Sequence, residues 1–557
     1  MAMKIEGLPR NISIHACGVI IAPSAVTDHI PQILVEDEDT GIRVPTTQVV
    51  MTECEELGLL KMDFLGLRTM GVVGRALQDI NKRRKLEGKE PIDFLSIPTD
   101  DVKVYDFISK GHTEGVFQLE SGGMTSFMKE LFQDAHQYLD EKNPEKMKQI
   151  GSQLFERLIA GISLYRPGPI DEIPHYIENM LNPEYITYDT PELEPILKNT
   201  YGIIVYQEQV MFIVRELAGF SKGQADTIRK AMGKKRTEIL DEYEQYFIYG
   251  SKEKNIKGCI ANGIDENIAK NLWEKMKKFG LYAFNKSHAG GYAEISIRTA
   301  WLAYYYPVEY MTATLNSFIT KAEKIRYYMS VCKKKGIKVL PPDVNKSSQE
   351  FTVEGNAIRF GLMGIKNMGK VSKDVIEERN QRGEFNDFQD FAERMAVHFK
   401  VDKRMLEALI YSSAVDSFEG TRKAKISVLP KILESASIEK KNHELGQLDL
   451  FSISEEFAEL KKVPIPDMEE FEKKFKLQKE KEYAGFYVTE HPLDEYLEYF
   501  EKEGVYEIDF LTPKEDEMST IENGQEKQVI SPYNYDGETV KVAGIIQELK
   551  VFYTKKE

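Results

Sequence analysis

The sequence predicts a multidomain α+β protein, and three observations carry that prediction. With 557 residues, 42% of them hydrophobic, the chain is too long for a single core. Its first 75 residues alternate with the period of β-strands, and the pattern from about 76 onward turns helical. Short strand-like segments then return at two later places.

The elements follow in order. Within residues 1–75, Ser13 to Ala22 and Leu57 to Leu65 alternate apolar and polar positions, which predicts part of a mixed sheet. Residues 76–340 read as a large helical domain, broken by turns at Arg166-Pro167-Gly168-Pro169 and from Lys286 to Gly291. In residues 341–431, apolar Phe351, Val353, Ile358 and Phe360 lead into a tight glycine turn from Gly361 to Lys370. A weaker echo at Leu406, Ile410, Ala414, Val415 and Phe418 predicts a second, related helical hairpin. Residues 432–530 are a charged, loosely periodic linker with one apolar island, Gln447-Leu448-Asp449-Leu450-Phe451, in the form of a docking peptide. Residues 531–557 return to period two and predict the opening strands of a β-domain.

The formal net charge of −16 argues at first against a nucleic-acid partner. Its distribution argues the other way: basic residues cluster from Arg229 to Arg236, from Lys277 to Lys286 and at Lys333-Lys334-Lys335, whereas acidic residues gather between Glu455 and Glu526. Cys17, Cys54, Cys259 and Cys332 are too widely spaced for a C-x-x-C zinc site and are expected to fill cores in a reducing cytoplasm. No apolar run approaches the ~20 residues of a membrane span, so a soluble protein with no membrane partner is expected.

Several side chains have spacings that suit phosphate chemistry, each with a plainer alternative. Arg166 sits in a turn stiffened by two prolines, which would hold a guanidinium for bidentate phosphate contact; the alternative is a solvated surface turn. Lys286, Ser287 and His288 precede a glycine pair and a helix-forming run, an arrangement able to cradle a triphosphate, or simply a helix start capped by Asn285 or Ser287. Arg229, Lys230, Lys234 and Lys235 surround Gly233 and suit template or nucleotide phosphates, or form a solvated face. Asp63 lies on the same strand face as Lys61, so an ordinary ion pair is its plain reading.

Six stretches occur in a fixed order: His15-Ala16-Cys17-Gly18-Val19, Lys61 to Thr69, Gly115 to Ser121, Tyr165 to Pro169, Tyr206 to Met211, and Phe284 to His288. Together they resemble the alpha subunit of bacterial replicative DNA polymerases of the C family, over essentially the whole chain. The resemblance implies the C-terminal part of the palm at 1–75, fingers at 76–340, a helix-hairpin-helix duplex-binding domain at 341–431, a clamp-binding segment and linker at 432–530, and a truncated oligonucleotide-binding (OB) fold at 531–557. It assigns Asp63 as the third catalytic carboxylate and a ligand of a two-metal Mg²⁺ site only partly supplied by this chain.

The same resemblance implies nucleotide binding by Arg166, Lys286, Ser287, His288, Arg229 and Lys230. It implies DNA binding by Lys234, Lys235, Gly364, Lys366, Asn367, Gly369 and Lys370, and sliding-clamp binding by Gln447, Leu448, Asp449, Leu450 and Phe451. Primed template DNA, dNTPs, the clamp and other replicase subunits would be the partners. The family's phosphoesterase-like domain and its P-D-x-D-x-D-F strand do not occur here, so templated nucleotidyl transfer by the isolated chain is expected to be incomplete. The alternative is a non-catalytic DNA- and clamp-binding scaffold. Glu36 to Asp39, in a polar turn, does not replace the missing carboxylate pair.

Overall fold

The computed structural model describes residues 14–15, 17–37, 41–64, 66–233, 236–280, 284–369, 371–399, 401–444, 462–506, 520–522, 525–527 and 541–545. The chain divides into two compact units, Met1–Gly71 and Val72–Glu557.

In the first unit β1 (Gly18–Ile21) pairs antiparallel with β4 (Leu60–Asp63), placing Gly18 opposite Asp63 and Val19 opposite Met62. β2 (Gln32–Glu36) and β3 (Arg43–Thr47) form a second antiparallel pair. The expected mixed sheet is therefore, among the described residues of this unit, two antiparallel pairs. Ile30, Cys54 and Leu59 make its small core. Val19, Ile21, Leu60 and Met62 share the other face of this ribbon and remain exposed.

The second unit is mostly helical and holds three cores. The first gathers Val72 to Tyr206 with Ala289 to Ala313. At its centre the Pro144–Leu164 helix packs against the Lys286–Tyr305 helix. The Pro144–Leu164 helix starts where the sequence says it should: Asn143 Oδ1 accepts from the Glu145 and Lys146 N–H groups at 3.0 and 3.3 Å, and Pro144 occupies the first turn. The second core, Leu193 to Met276, is built from the helices Gln207–Ala218, Lys222–Gly233, Thr237–Tyr249 and Glu266–Gly280 around Trp273.

The third core runs from Met311 to Ile432. It contains a small mixed sheet in which β7 (Ala357–Arg359) pairs parallel with β5 (Lys338–Leu340) and antiparallel with β6 (Thr352–Glu354). The apolar positions expected of a strand segment, Val353 and Ile358, fall on this hairpin. After it come a single 3-10 turn, Leu362–Gly364, and the helix Val371–Arg382. The element before the glycine turn is thus a strand and one short turn. The left-handed residue in that loop is Asn367, with φ of 70°, whereas neither Gly364 nor Gly369 has a positive φ. The expected glycine turn is corrected accordingly: asparagine tolerates this conformation by local hydrogen bonding. The second hairpin joins the helices Lys403–Tyr411 and Arg422–Glu444, with Ala414 and Val415 buried in the connection.

The helix Lys473–Ala484 packs on the third core through Tyr483, and Phe486 follows it there. Farther on, Val505–Tyr506 pairs parallel with Lys541–Val542, and Thr520–Glu522 pairs antiparallel with Gln525–Lys527. The rest of the segment expected to open an OB-fold lies outside the described residues, as does the island Gln447 to Phe451.

Candidate nucleotide site

Four of the sequence motifs meet in the second unit. The Tyr206 backbone bridges to Phe284, with Gln207 N–H donating to Phe284 O at 2.9 Å. The next residue, Glu208, accepts from Asn285 Nδ2 at 2.7 Å and from the Lys286 N–H at 3.0 Å. Asn285 Oδ1 in turn accepts from the His288 N–H at 2.9 Å and caps the Lys286–Tyr305 helix. The plain alternative for this stretch, a helix start capped by Asn285, is therefore present, and the cap presents Lys286, Ser287 and His288 in the first turn, where helix N–H groups and the macrodipole favour an anion.

Arg166 comes to the same place. Gly168, with φ of 99°, takes a backbone conformation that a β-carbon would strain, and so lets the chain turn between its two prolines. The Arg166 guanidinium carbon stands 4.1 Å from the Phe284 ring centroid, and its Nε donates to Ser163 O at 3.1 Å. Burial lowers the Arg166 pKa. Lys286 Nζ lies 2.8 Å from Glu156 Oε2 and 5.4 Å from the Tyr206 ring centroid. His288 packs between Phe284 and Tyr292, with ring centroids 5.3 and 4.5 Å away, and Tyr292 stands 5.2 Å from Phe117 of the Gly115 to Ser121 stretch. The Tyr206 hydroxyl is buried without a hydrogen-bond partner, and burial followed by Glu156 and Glu208 raises its pKa.

Sequence reasoning missed Glu156, Glu208, Phe284 and Tyr292 as parts of this site. Three of the four lie inside or beside stretches the sequence singled out, which was the available signal.

Arg229 and Lys230 lie on the Lys222–Gly233 helix and both pair with Asp226, at 2.8 Å each. Lys234, Lys235 and Lys370 lie outside the described residues. Lys366 and Asn367 are exposed on the hairpin loop, and the Lys366 N–H donates to Tyr483 O at 2.7 Å.

In the first unit Asp63 ends β4. Lys61 Nζ lies 2.8 Å from its Oδ1 and 2.9 Å from its Oδ2, so the plain ion pair exists. That contact, ahead of the other causes, holds the Asp63 carboxyl below its ordinary 3.8. A β-carbon at Gly18, opposite, would lie 2.7 Å from Lys61 Cε and displace the end of that side chain. His15 Nδ1 accepts from the Gly18 N–H at 2.8 Å, and the Cys17 thiol contacts Asp63 Oδ1 at 3.9 Å.

The metal-ligating atoms of His15, Cys17 and Asp63 lie within 4.8 Å of one another. They do not make a magnesium site by themselves, because that ion takes oxygen ligands and only Asp63 supplies one, while the Nδ1 lone pair is already engaged by Gly18. Asp63, half exposed, fits as one carboxylate of a larger set. Cys17 departs from the expectation of core filler; Cys54, Cys259 and Cys332 are buried.

Comparison with known proteins places this arrangement among bacterial DNA polymerase components. Residues 69–137 and 141–255 match the bacterial DNA polymerase III alpha subunit finger domain, residues 1–66 the bacterial DNA polymerase III alpha NTPase domain, and residues 336–425 a helix-hairpin-helix motif. The chain is 38% identical over 502 residues to DNA polymerase III subunit alpha of Thermus aquaticus, covering 89% of this chain and 38% of that protein. The same-named proteins of Aquifex aeolicus and Escherichia coli K12 are each 36% identical, over 100% and 90% of this chain and 41% of their own lengths. The chain belongs to the family of bacterial DNA polymerase III alpha subunits and spans about two fifths of the length of these curated relatives. Among the described residues no helix is long and apolar enough to cross a membrane.

Proposed function

We propose that this chain takes part in templated DNA synthesis, binding the incoming dNTP in its second unit and contributing a metal-binding carboxylate from its first. The observation that carries the reading is the meeting of Arg166 and His288 on the Phe284 ring, beside a helix N-terminus that starts at Lys286 and is braced by Glu208. A triphosphate there would exchange Lys286 from Glu156 onto a phosphate oxygen, take a bidentate contact from Arg166 and accept from the Ser287 hydroxyl, with the helix dipole favouring its charge. Phosphoryl transfer requires little else of these residues than position and charge.

Asp63 would hold one divalent cation, Mg²⁺, together with carboxylates beyond the His15, Cys17 and Asp63 cluster. Held there, such an ion would supply charge neutralisation at the transferring phosphoryl group and would lower the pKa of the primer hydroxyl. The chain has no strand-borne D-x-D pair of its own, so by itself it is expected to bind nucleotide and not to extend primers.

Arg229, Lys230, Lys234 and Lys235 would contact phosphates of the nucleotide or template. In the domain assigned to residues 341–431, Gly364, Lys366, Asn367, Gly369 and Lys370 would grip duplex through its backbone. Gln447 to Phe451 would dock the sliding clamp, and residues 531–557 would open an OB-fold. Other replicase subunits would complete the assembly.

The test is binding of fluorescently labelled dATP with Mg²⁺ by the purified chain. Arg166→Ala and Lys286→Ala are each expected to weaken binding by about tenfold or more, the worth of a charge-assisted phosphate contact. Unchanged affinity in both variants refutes the site. Primer extension, run alongside with Asp63→Ala, refutes the expected inactivity if the unaltered chain extends and the variant does not.

A further inference from the structure

Away from that site, the second unit carries a cleft of about 580 Å³. One wall is the end of the Ala322–Lys334 helix with β5, and the other is the end of the Lys473–Ala484 helix with the segment from Phe486 to Asp494. Its charge is lopsided. Arg326, Lys333, Lys338 and Lys481 line it against two carboxylates, Glu490 and Asp494. Asp494 pairs with Lys333 at 2.8 Å, and Glu490 shares Lys473, which lies outside the cleft, with Glu495.

Arg326 and Lys338 form no ion pair with a described carboxylate, and both are exposed. Burial, and then repulsion from Arg326, lower the Lys481 pKa, which is what two cations on facing walls do to one another.

The cleft is also aromatic. The rings of Tyr487 and His491 line it, with centroids 4.9 Å apart and planes at 90°, and Lys481 Nζ stands 5.2 Å from the Tyr487 centroid. Their wall is held in advance: Glu480, fully buried, accepts from the Val488 and Thr489 N–H groups at 2.9 and 3.0 Å while its other oxygen takes Arg422 Nη1 at 2.8 Å.

We infer that this cleft binds single-stranded DNA, with backbone phosphates on Arg326 and Lys338 and an unpaired base on Tyr487 and His491. A positive groove with aromatic side chains is the combination that holds a strand without reading its sequence, since every base has a π-face and every nucleotide a phosphate. A pocket of this size suits drug-sized ligands, on the order of one or two nucleotides, and excludes a duplex. The inference does not rest on the nucleotide site proposed above, and its residues are separate from it.

The experiment uses the full chain and a fluorescent octathymidylate, (dT)8, titrated at several salt concentrations. Arg326→Gln with Lys338→Gln is expected to weaken (dT)8 binding by about tenfold or more and to flatten the dependence of log K on log salt by about 1.4, roughly 0.7 for each phosphate no longer neutralised. Both side chains are exposed, so the variant folds, and its affinity for primed duplex and for dATP stays as in the unaltered chain. An oligonucleotide carrying 5-iodouracil is expected to crosslink to the peptide that contains Tyr487 and His491.

An unchanged salt slope, or crosslinks confined to other peptides, overturns the inference. So does displacement of (dT)8 from this peptide by dAMP or an oligoglutamate at least as effectively as by unlabelled strand. Failure of duplex or dATP binding in the unaltered chain would instead strike the polymerase reading and leave this result standing.

Discussion

Glu208 and Asn285, 77 residues apart in sequence, are joined by a 2.7 Å hydrogen bond in which the amide donates to the carboxylate. The same carboxylate takes the Lys286 N–H, so one side chain sets both the cap and the first residue of the helix that presents the candidate phosphate ligands. Glu208→Ala removes both acceptors and leaves the loop to water. Hydrogen bonds to a charged group are worth about 1.5–3 kcal/mol, so dATP affinity is expected to fall by roughly ten- to a hundredfold. Glu208→Gln keeps an acceptor and should lose less. Fluorescence titration with labelled dATP decides it, and an unaltered Kd in Glu208→Ala would show that the brace is only structural.

Lys286 is held by Glu156, and a nucleotide must compete for it. Both side chains are more than a third exposed, so the pair is weak, worth below about 1 kcal/mol. Glu156→Gln frees the ammonium and is expected to tighten dATP binding by about two- to fivefold. Weaker binding in that variant would mean that Glu156 itself faces the nucleotide or its metal.

Cysteine chemistry sets Cys17 apart from the other three thiols. Burial pushes the Cys259 and Cys332 thiols up to about 12, and Cys54 is buried as well. A raised pKa leaves only the order of one thiol in ten thousand ionised at pH 8, and it is the thiolate that reacts. Iodoacetamide at pH 8 is therefore expected to label Cys17 alone, as peptide mass mapping would show. Modification of Cys259 or Cys332 at a comparable rate would contradict their burial.

What the sequence conveyed and what it withheld divide along physical lines. Period two gave β1 and β4, and the capping residue Asn285 marked a helix start, because these are local signals carried by neighbouring residues. The joining of Tyr206 to Phe284 and the approach of Arg166 to the same ring are long-range events with no local pattern, so the ligands were legible one by one while Glu156 and Glu208, which position them, were not. Pattern also misled at the hairpin loop. Its glycines suggested the turn, and the left-handed position within it falls to Asn367. Arg229 and Lys230 were drawn from a charge run, and their common partner Asp226 lies three and four residues earlier on the same helix, the ordinary fate of such runs.

The Arg422–Glu480 pair sets the last expectation. Both side chains are buried, with the guanidinium also chelating Asp416 and the carboxylate also holding the Val488 and Thr489 N–H groups. Removing one partner of such a pair strands the other charge in the interior at about 3–5 kcal/mol; because Arg422 keeps Asp416, Glu480→Ala should fall near the lower end. Urea unfolding followed by fluorescence should show the lower midpoint. Replacing both residues by methionine removes the stranded charge and should recover much of that loss. It cannot restore the carboxylate oxygen that accepts from the Val488 and Thr489 N–H groups, so (dT)8 binding should stay weak after stability returns. Recovery of stability and strand binding together would mean that Glu480 only supports the fold and does not position the cleft wall.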